Sequence, residues 1–175
     1  MSKPYRIRLQ ETVTVSDHST FHIDPVPLVT QQGFEEIMQQ TLQELGWKAD
    51  SEGRLSIAID DKETWTYLPD KMQIITSVET QHQINQNIES WSPDILEQEA
   101  ERIKQERERE LQEQTTDALE AGQEERRRQF ETIVAEATGR AIKQAAERLG
   151  DIQEISESRG EKGQYTLSIT IHERE

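Results

Sequence analysis

The sequence predicts an α+β protein: a small, mostly antiparallel sheet with one packed helix, and a long charged helical arm inserted before a C-terminal strand that rejoins the sheet. Three observations predict it. Apolar and polar residues alternate in short runs near both ends of the chain, the mark of strands with one buried face. One stretch of helical period, 33–46, stands among those runs. From Ser92 to Leu149 the chain is rich in Glu, Arg, Gln and Ala, all good helix formers, with no proline after Pro93. The expected division is 1–92 as a β-rich domain, 93–150 as the arm, and 151–175 as the returning strand.

Composition narrows the function. Of 175 residues, 32% are apolar and 31% charged, well short of the roughly 45–50% apolar share of an ordinary globular chain. The apolar residues concentrate at 5–92 and after 129, so a modest core is expected at each end. A net charge of −15 opposes binding to nucleic acid, where Lys and Arg must neutralise phosphates, and opposes docking on anionic membranes. The absence of Cys excludes disulfides and thiolate chemistry. No apolar run approaches the ~18 residues of a membrane span, and a cytoplasmic protein is expected.

The elements follow in order. Tyr5, Ile7 and Leu9 alternate with Arg6, Arg8 and Gln10, and the pattern continues through Val13 and Val15. Asp17-His18-Ser19 has turn composition, Thr20–Ile23 resumes strand character, and Asp24-Pro25-Val26-Pro27 ends it. Phe34, Ile37, Met38, Leu42 and Leu45 define the helix of 33–46, with Thr30 as its cap and Gly46 as its left-handed stop. Leu55–Asp60, Thr64–Tyr67 and Met72–Val78 read as a meander of short strands, with turns at Asp50–Gly53, Asp61-Lys62 and Pro69-Asp70. Residues 80–92 turn polar and Gln/Asn-rich. Ser92-Pro93-Asp94 starts the long helix. At the far end, Arg159–Gly163 forms a Gly/Lys turn, and Tyr165, Leu167, Ile169 and Ile171 alternate with Thr166, Ser168, Thr170 and His172 as a strand.

The arm has two regimes. Between Glu97 and Gln129 apolar residues are sparse and opposite charges lie three apart, as in Glu99/Arg102, Glu101/Lys104, Glu106/Arg109 and Glu125/Arg128, so the helix reads as solvated and polar nearly all round. From Phe130 onward an apolar stripe forms. Phe130, Ile133, Val134, Ala137 and Ala141 are the expected interface, either with a protein partner or through self-association as a homodimer, in the manner of a coiled coil. Breaks are expected at Thr115-Thr116-Asp117 and Gly122. The arm is then an antiparallel hairpin, or, unbroken, a single rod of roughly 80 Å.

No chemistry-bearing constellation emerges. His18 and His22, four apart, would share a face only on a helix, whereas their segment reads as strand and turn. Asp60-Asp61 with Glu63 falls at a hairpin turn, where Asp serves the backbone. Glycine-rich phosphate loops and nucleophile elbows are absent. Neither a metal nor any other cofactor is implied. Trp47, Trp65, Tyr67 and Trp91 could fill a core or line a surface. The leading expectation is a non-catalytic interaction or adaptor module acting through its arm. The alternative is a small-molecule-binding domain, or an unrecognised enzyme, with a pocket near Trp47 and Trp65.

The pattern Tyr5-Arg6-Ile7-Arg8-Leu9, the Pro-rich residues 24–28, the helix ending Leu42-Gln43-Glu44-Leu45-Gly46-Trp47 and the short meander resemble small accessory proteins of bacterial gene clusters built around AAA-type ATPases, the FtsH-like ternary systems. The closing Gly163-Gln164-Tyr165-Thr166-Leu167-Ser168-Ile169 is similar to other small proteins of that neighbourhood. The resemblance covers about half the chain, leaves out the arm and carries no catalytic motif. It implies a role beside an ATPase.

Overall fold

The computed structural model describes residues 3–161 and 164–173. Its elements are β1 (Tyr5–His22), α1 (Gln31–Glu44), β2 (Lys48–Ala49), β3 (Leu55–Ala58), β4 (Glu63–Leu68), a single 3₁₀ turn (Pro69–Lys71), β5 (Gln73–Ser90), α2 (Pro93–Ala121), α3 (Gln123–Leu149), β6 (Gly150–Arg159) and β7 (Tyr165–Glu173). The α+β class is as expected, with an antiparallel sheet of strand order β1-β5-β4-β3-β2 and a separate two-stranded sheet, β6-β7. The chain forms two compact units. The first comprises 1–19, 58–64 and 76–123, and the second 20–57, 65–75 and 124–175. Each has its own apolar core.

In the first unit the core is a seam. Leu9, Val13 and Val15 of β1 and Ile84 and Ile88 of β5 pack with Leu96, Ile103 and Leu111 of α2. On α2 the buried positions Leu96, Ile103, Leu111, Thr115 and Leu119 recur every second turn and then every turn, a stripe one side chain wide. Polar contacts finish the seam. The Thr116 hydroxyl donates to the Asp17 carboxylate at 2.7 Å, and Lys104 reaches Glu11 of β1 at 3.1 Å. The Thr115 hydroxyl donates to the Leu111 carbonyl at 2.7 Å and lies 3.1 Å from that of Thr80.

This arrangement corrects four expectations. The region 97–121 is not a solvated arm, because a narrow stripe suffices to bury one side of a helix whose other faces are charged. Of the four charge pairs expected, Glu99–Arg102 forms, at 2.6 Å, whereas Lys104 pairs with Glu11, Arg109 with Glu113 and Arg128 with Glu124. Residues 17–19 do not turn: β1 runs unbroken through them, with Asp17 accepting from Thr116 and from the His18 N–H. Those bonds, the hydroxyl's first, hold the Asp17 carboxyl below its ordinary range. Finally, the polar, Gln/Asn-rich stretch from 80 continues β5 as far as Ser90, with Ile84 and Ile88 buried.

In the second unit α1 and α3 share a core with the short strands. Phe34, Ile37, Met38 and Leu42 of α1 are buried with Leu55, Trp65, Tyr67 and Ile74. Thr30 caps α1 by accepting from the Gly33 N–H at 3.0 Å. At the other end the Gly46 N–H donates to Gln43 and the Trp47 N–H to Leu42, the paired bonds of a Schellman stop, with Gly46 at φ +92°. Burial, reinforced by Glu35, pushes the Tyr67 phenol far above its ordinary range, and its hydroxyl rests 3.4 Å from the Met72 sulfur.

Two expectations about the helical half also change. Thr115 and Thr116 lie inside α2. Only Gly122 separates α2 from α3, and its φ of −88° and ψ of −4° stay in the right-handed region. The last strand does not rejoin the N-terminal sheet. Gly150–Arg159, expected as the lead-in to a single returning strand with Arg159 already in the turn, forms a strand of its own that pairs antiparallel with β7, from Gly150↔Glu173 to Arg159↔Tyr165. Lys162 and Gly163 of the expected turn lie outside the described residues.

The seam makes a testable demand on the first unit. Leu111→Ala should lower unfolding free energy by about 2–4 kcal/mol, whereas Glu108→Ala on the charged face should change it by less than about 0.5 kcal/mol. Denaturant unfolding of both variants measures this; similar small effects would return α2 to the status of a solvated arm.

Candidate interaction surface

The five residues expected at an interface are the place to begin. Phe130 is 3% exposed, Ile133 9%, and Ala137 and Ala141 are fully buried, all four within the core of the second unit. Phe130 meets Trp65 edge-on at 4.7 Å between ring centroids and Phe21 at 5.4 Å. Their stripe is core, because the sheet of the same unit covers it. Val134 alone is partly open and borders a groove.

Trp47 and Trp65 are likewise core, 5% and 6% exposed with ring centroids 6.2 Å apart. Trp91, by contrast, is 69% exposed just after β5. The His22 imidazole lies 3.2 Å from the Gln73 amide. Among the described residues no three His, Cys, Asp or Glu side chains gather as metal ligands. Asp60 serves its turn, accepting from the Lys62 and Glu63 N–H groups at 2.7 Å each, and these bonds lower its pKa.

What the sequence reading missed is the face that α3 shares with the β6–β7 hairpin. Tyr165 lies across α3 at Gly139, where a Cβ would come within 2.9 Å of the phenol oxygen. The small residue thus permits the hairpin's close approach. Three grooves meet at Tyr165. The first, about 520 Å³, is walled by Arg140, Lys143, Glu136 and Glu157. Its cations are already partnered: Arg140 pairs with Glu44 and with Glu136 (2.9 Å), and Lys143 pairs with Glu157. The Arg140 guanidinium holds Glu44 below the usual carboxylate range, and Lys143 does the same for Glu157. Burial first, and Glu157 second, raise the Tyr165 phenol. A wall of satisfied ion pairs is a poor phosphate cradle and offers no displaced pKa suited to proton transfer near neutrality.

The third groove differs in chemistry. It has a volume of about 420 Å³ and is bordered by Phe21, Val134, Ala135, Ile142 and Leu167, with Glu131 at its rim. On β7, Tyr165, Leu167, Ile169 and Ile171 are half-buried and the residues between them exposed. The hairpin's apolar face is therefore only partly covered. Only the hint of it, the clean alternation of β7, was readable beforehand. Nothing local signals the pairing with 150–159, whose apolar residues number just Ile152 and Ile155.

Fold and surface together define an α+β domain furnished with open grooves and satisfied ion pairs. The chain belongs to the family described as FtsH ternary system domain X5, whose model matches residues 1–171. The match runs through α2 and α3, which corrects the view that the likeness stops short of the helical half. No curated protein and no solved structure matches the chain. No described helix is long and apolar enough to cross a membrane.

The placement of the stripe predicts an asymmetry between neighbours on α3. Ile133→Asp sets a charge in the core and should cost at least about 3 kcal/mol, enough to unfold the second unit. Val134→Asp should remain folded. Near-ultraviolet circular dichroism of the Trp65–Phe130 environment reads the difference; folded spectra for both variants would remove Ile133 from the core.

Proposed function

We propose that this chain is a non-catalytic accessory or adaptor module that binds a protein partner of an AAA-type ATPase system in the cytoplasm. The observation that carries the reading is the family match across 1–171, which ties the entire described fold to an FtsH ternary system. The surface supports it. The groove walled by Arg140 and Lys143 is lined by carboxylates and cations already engaged with each other, while the apolar groove is open, as a surface for another chain would be. Charge favours a different protein over a second copy, since two chains each at −15 repel.

The test is direct binding between the purified chain and a purified FtsH-type ATPase from the same organism, by size-exclusion chromatography with light scattering. A one-to-one or higher complex at micromolar concentration is expected. The absence of a complex up to about 100 μM, with and without nucleotide, would contradict the accessory role.

A further inference from the structure

We propose that the outer edge of β7 is the docking site for an extended, basic-flanked segment of the partner protein, which adds to the β6–β7 sheet as a third strand. Its alternate apolar side chains enter the groove beside α3. The inference rests on the accessory reading above and gives it a surface and a partner chemistry.

Strand edges are templates for pairing, and folded proteins blunt them with charges, bulges or shortness. Among the described residues, three of the four sheet edges are blunted. β1 carries Arg6, Arg8, Glu11 and Asp17. At the other end of the same sheet β2 has only two residues. β6 carries Asp151, Glu154, Glu157 and Arg159, and its register shifts between Ile152 and Glu154. β7 has these devices least, its one charged residue being the terminal Glu173. From Tyr165 to His172 it contains no Asp, Glu, Lys, Arg or Pro, in a chain that is 31% charged, and it pairs regularly with β6 beyond the shift.

The unblunted strand is also the one beside the apolar groove. Leu167 of β7 borders it together with Phe21, Val134, Ala135 and Ile142. An added strand would satisfy the backbone edge while every second side chain found apolar cover, the division of labour in β-augmentation. A two-stranded sheet is marginal alone, so a third strand also stabilises the hairpin itself. The occupant's charge follows from the host. With Glu131 at the rim and −15 overall, the segment should be uncharged along its length and basic at its ends.

The test uses short synthetic peptides in which Val, Ile, Leu or Phe alternate with Thr, flanked by Lys or by Glu, titrated into the full chain by fluorescence anisotropy. Lys-flanked peptides should bind, and Glu-flanked ones at least about tenfold more weakly at low salt. N-methylation of alternate amides in the strongest binder should abolish binding in one phase and leave it intact in the other, because only one set of N–H groups faces β7. Val134→Asp, which keeps the fold, should weaken binding about tenfold. Saturable binding absent up to about 1 mM, equal effects of both methylation phases, or peptide-dependent dissociation of a dimer, which would make a second copy the occupant, each overturns the proposal. An ATPase complex that survives Val134→Asp and excess peptide would sink the edge assignment alone. Peptide binding without any ATPase complex would instead sink the accessory reading.

Discussion

An 18-residue strand with its apolar side chains on one face must find cover along it, and within each unit of this chain a helix supplies part of that cover. β1 and β5 are both of that length, and the sequence has too few apolar residues to build a thick core along them. A helix solves the problem economically, because one buried residue per turn or two maintains contact while the remaining faces stay charged. In the first unit this gives the seam of Leu96, Ile103 and Leu111 against Leu9, Val13, Ile84 and Ile88. In the second, Phe130, Ile133, Ala137 and Ala141 enter a broader core with α1 and the short strands.

Much of the fold was legible because local chemistry and tertiary packing agree there. Thr30 and Gly46 bound α1 by capping rules that hold whatever the helix packs against, and Asp60 meets the backbone of its turn as such residues do. The failures share one cause, in that sparse patterns acquire meaning only from a partner. Ile84 and Ile88 stand four apart among Gln and Asn, so their shared face of β5 is invisible until α2 is laid on it. Asp17-His18-Ser19 has turn composition, yet a helix-borne hydroxyl, Thr116, engages Asp17 within a continuous strand. The stripe of α3 was visible, but a periodic apolar band does not say whether its cover comes from the same chain.

The candidate site was less legible than the fold for the same reason. β7 alternates cleanly, but its partner β6 carries charges at four of ten positions and only Ile152 and Ile155 as large apolar residues. The approach of Tyr165 over Gly139 joins residues far apart in sequence, and a lone helical glycine ordinarily signals no more than lost propensity. Those contacts place the β6–β7 hairpin on α3 and leave the edge of β7 and an apolar groove open. The docking proposal grows from that exposed remainder, not from the stripe beneath it.

The central claim is that α2 is core cover and not a free arm, and native-state amide hydrogen exchange tests it most directly. If the seam holds, amides around Ile103, Leu111 and Thr115 should be protected to a degree comparable with those of Val13 and Ile84, opening only with the first unit as a whole. Exchange of the 96–119 amides at near-unprotected rates, with β1 and β5 still protected, would contradict the account.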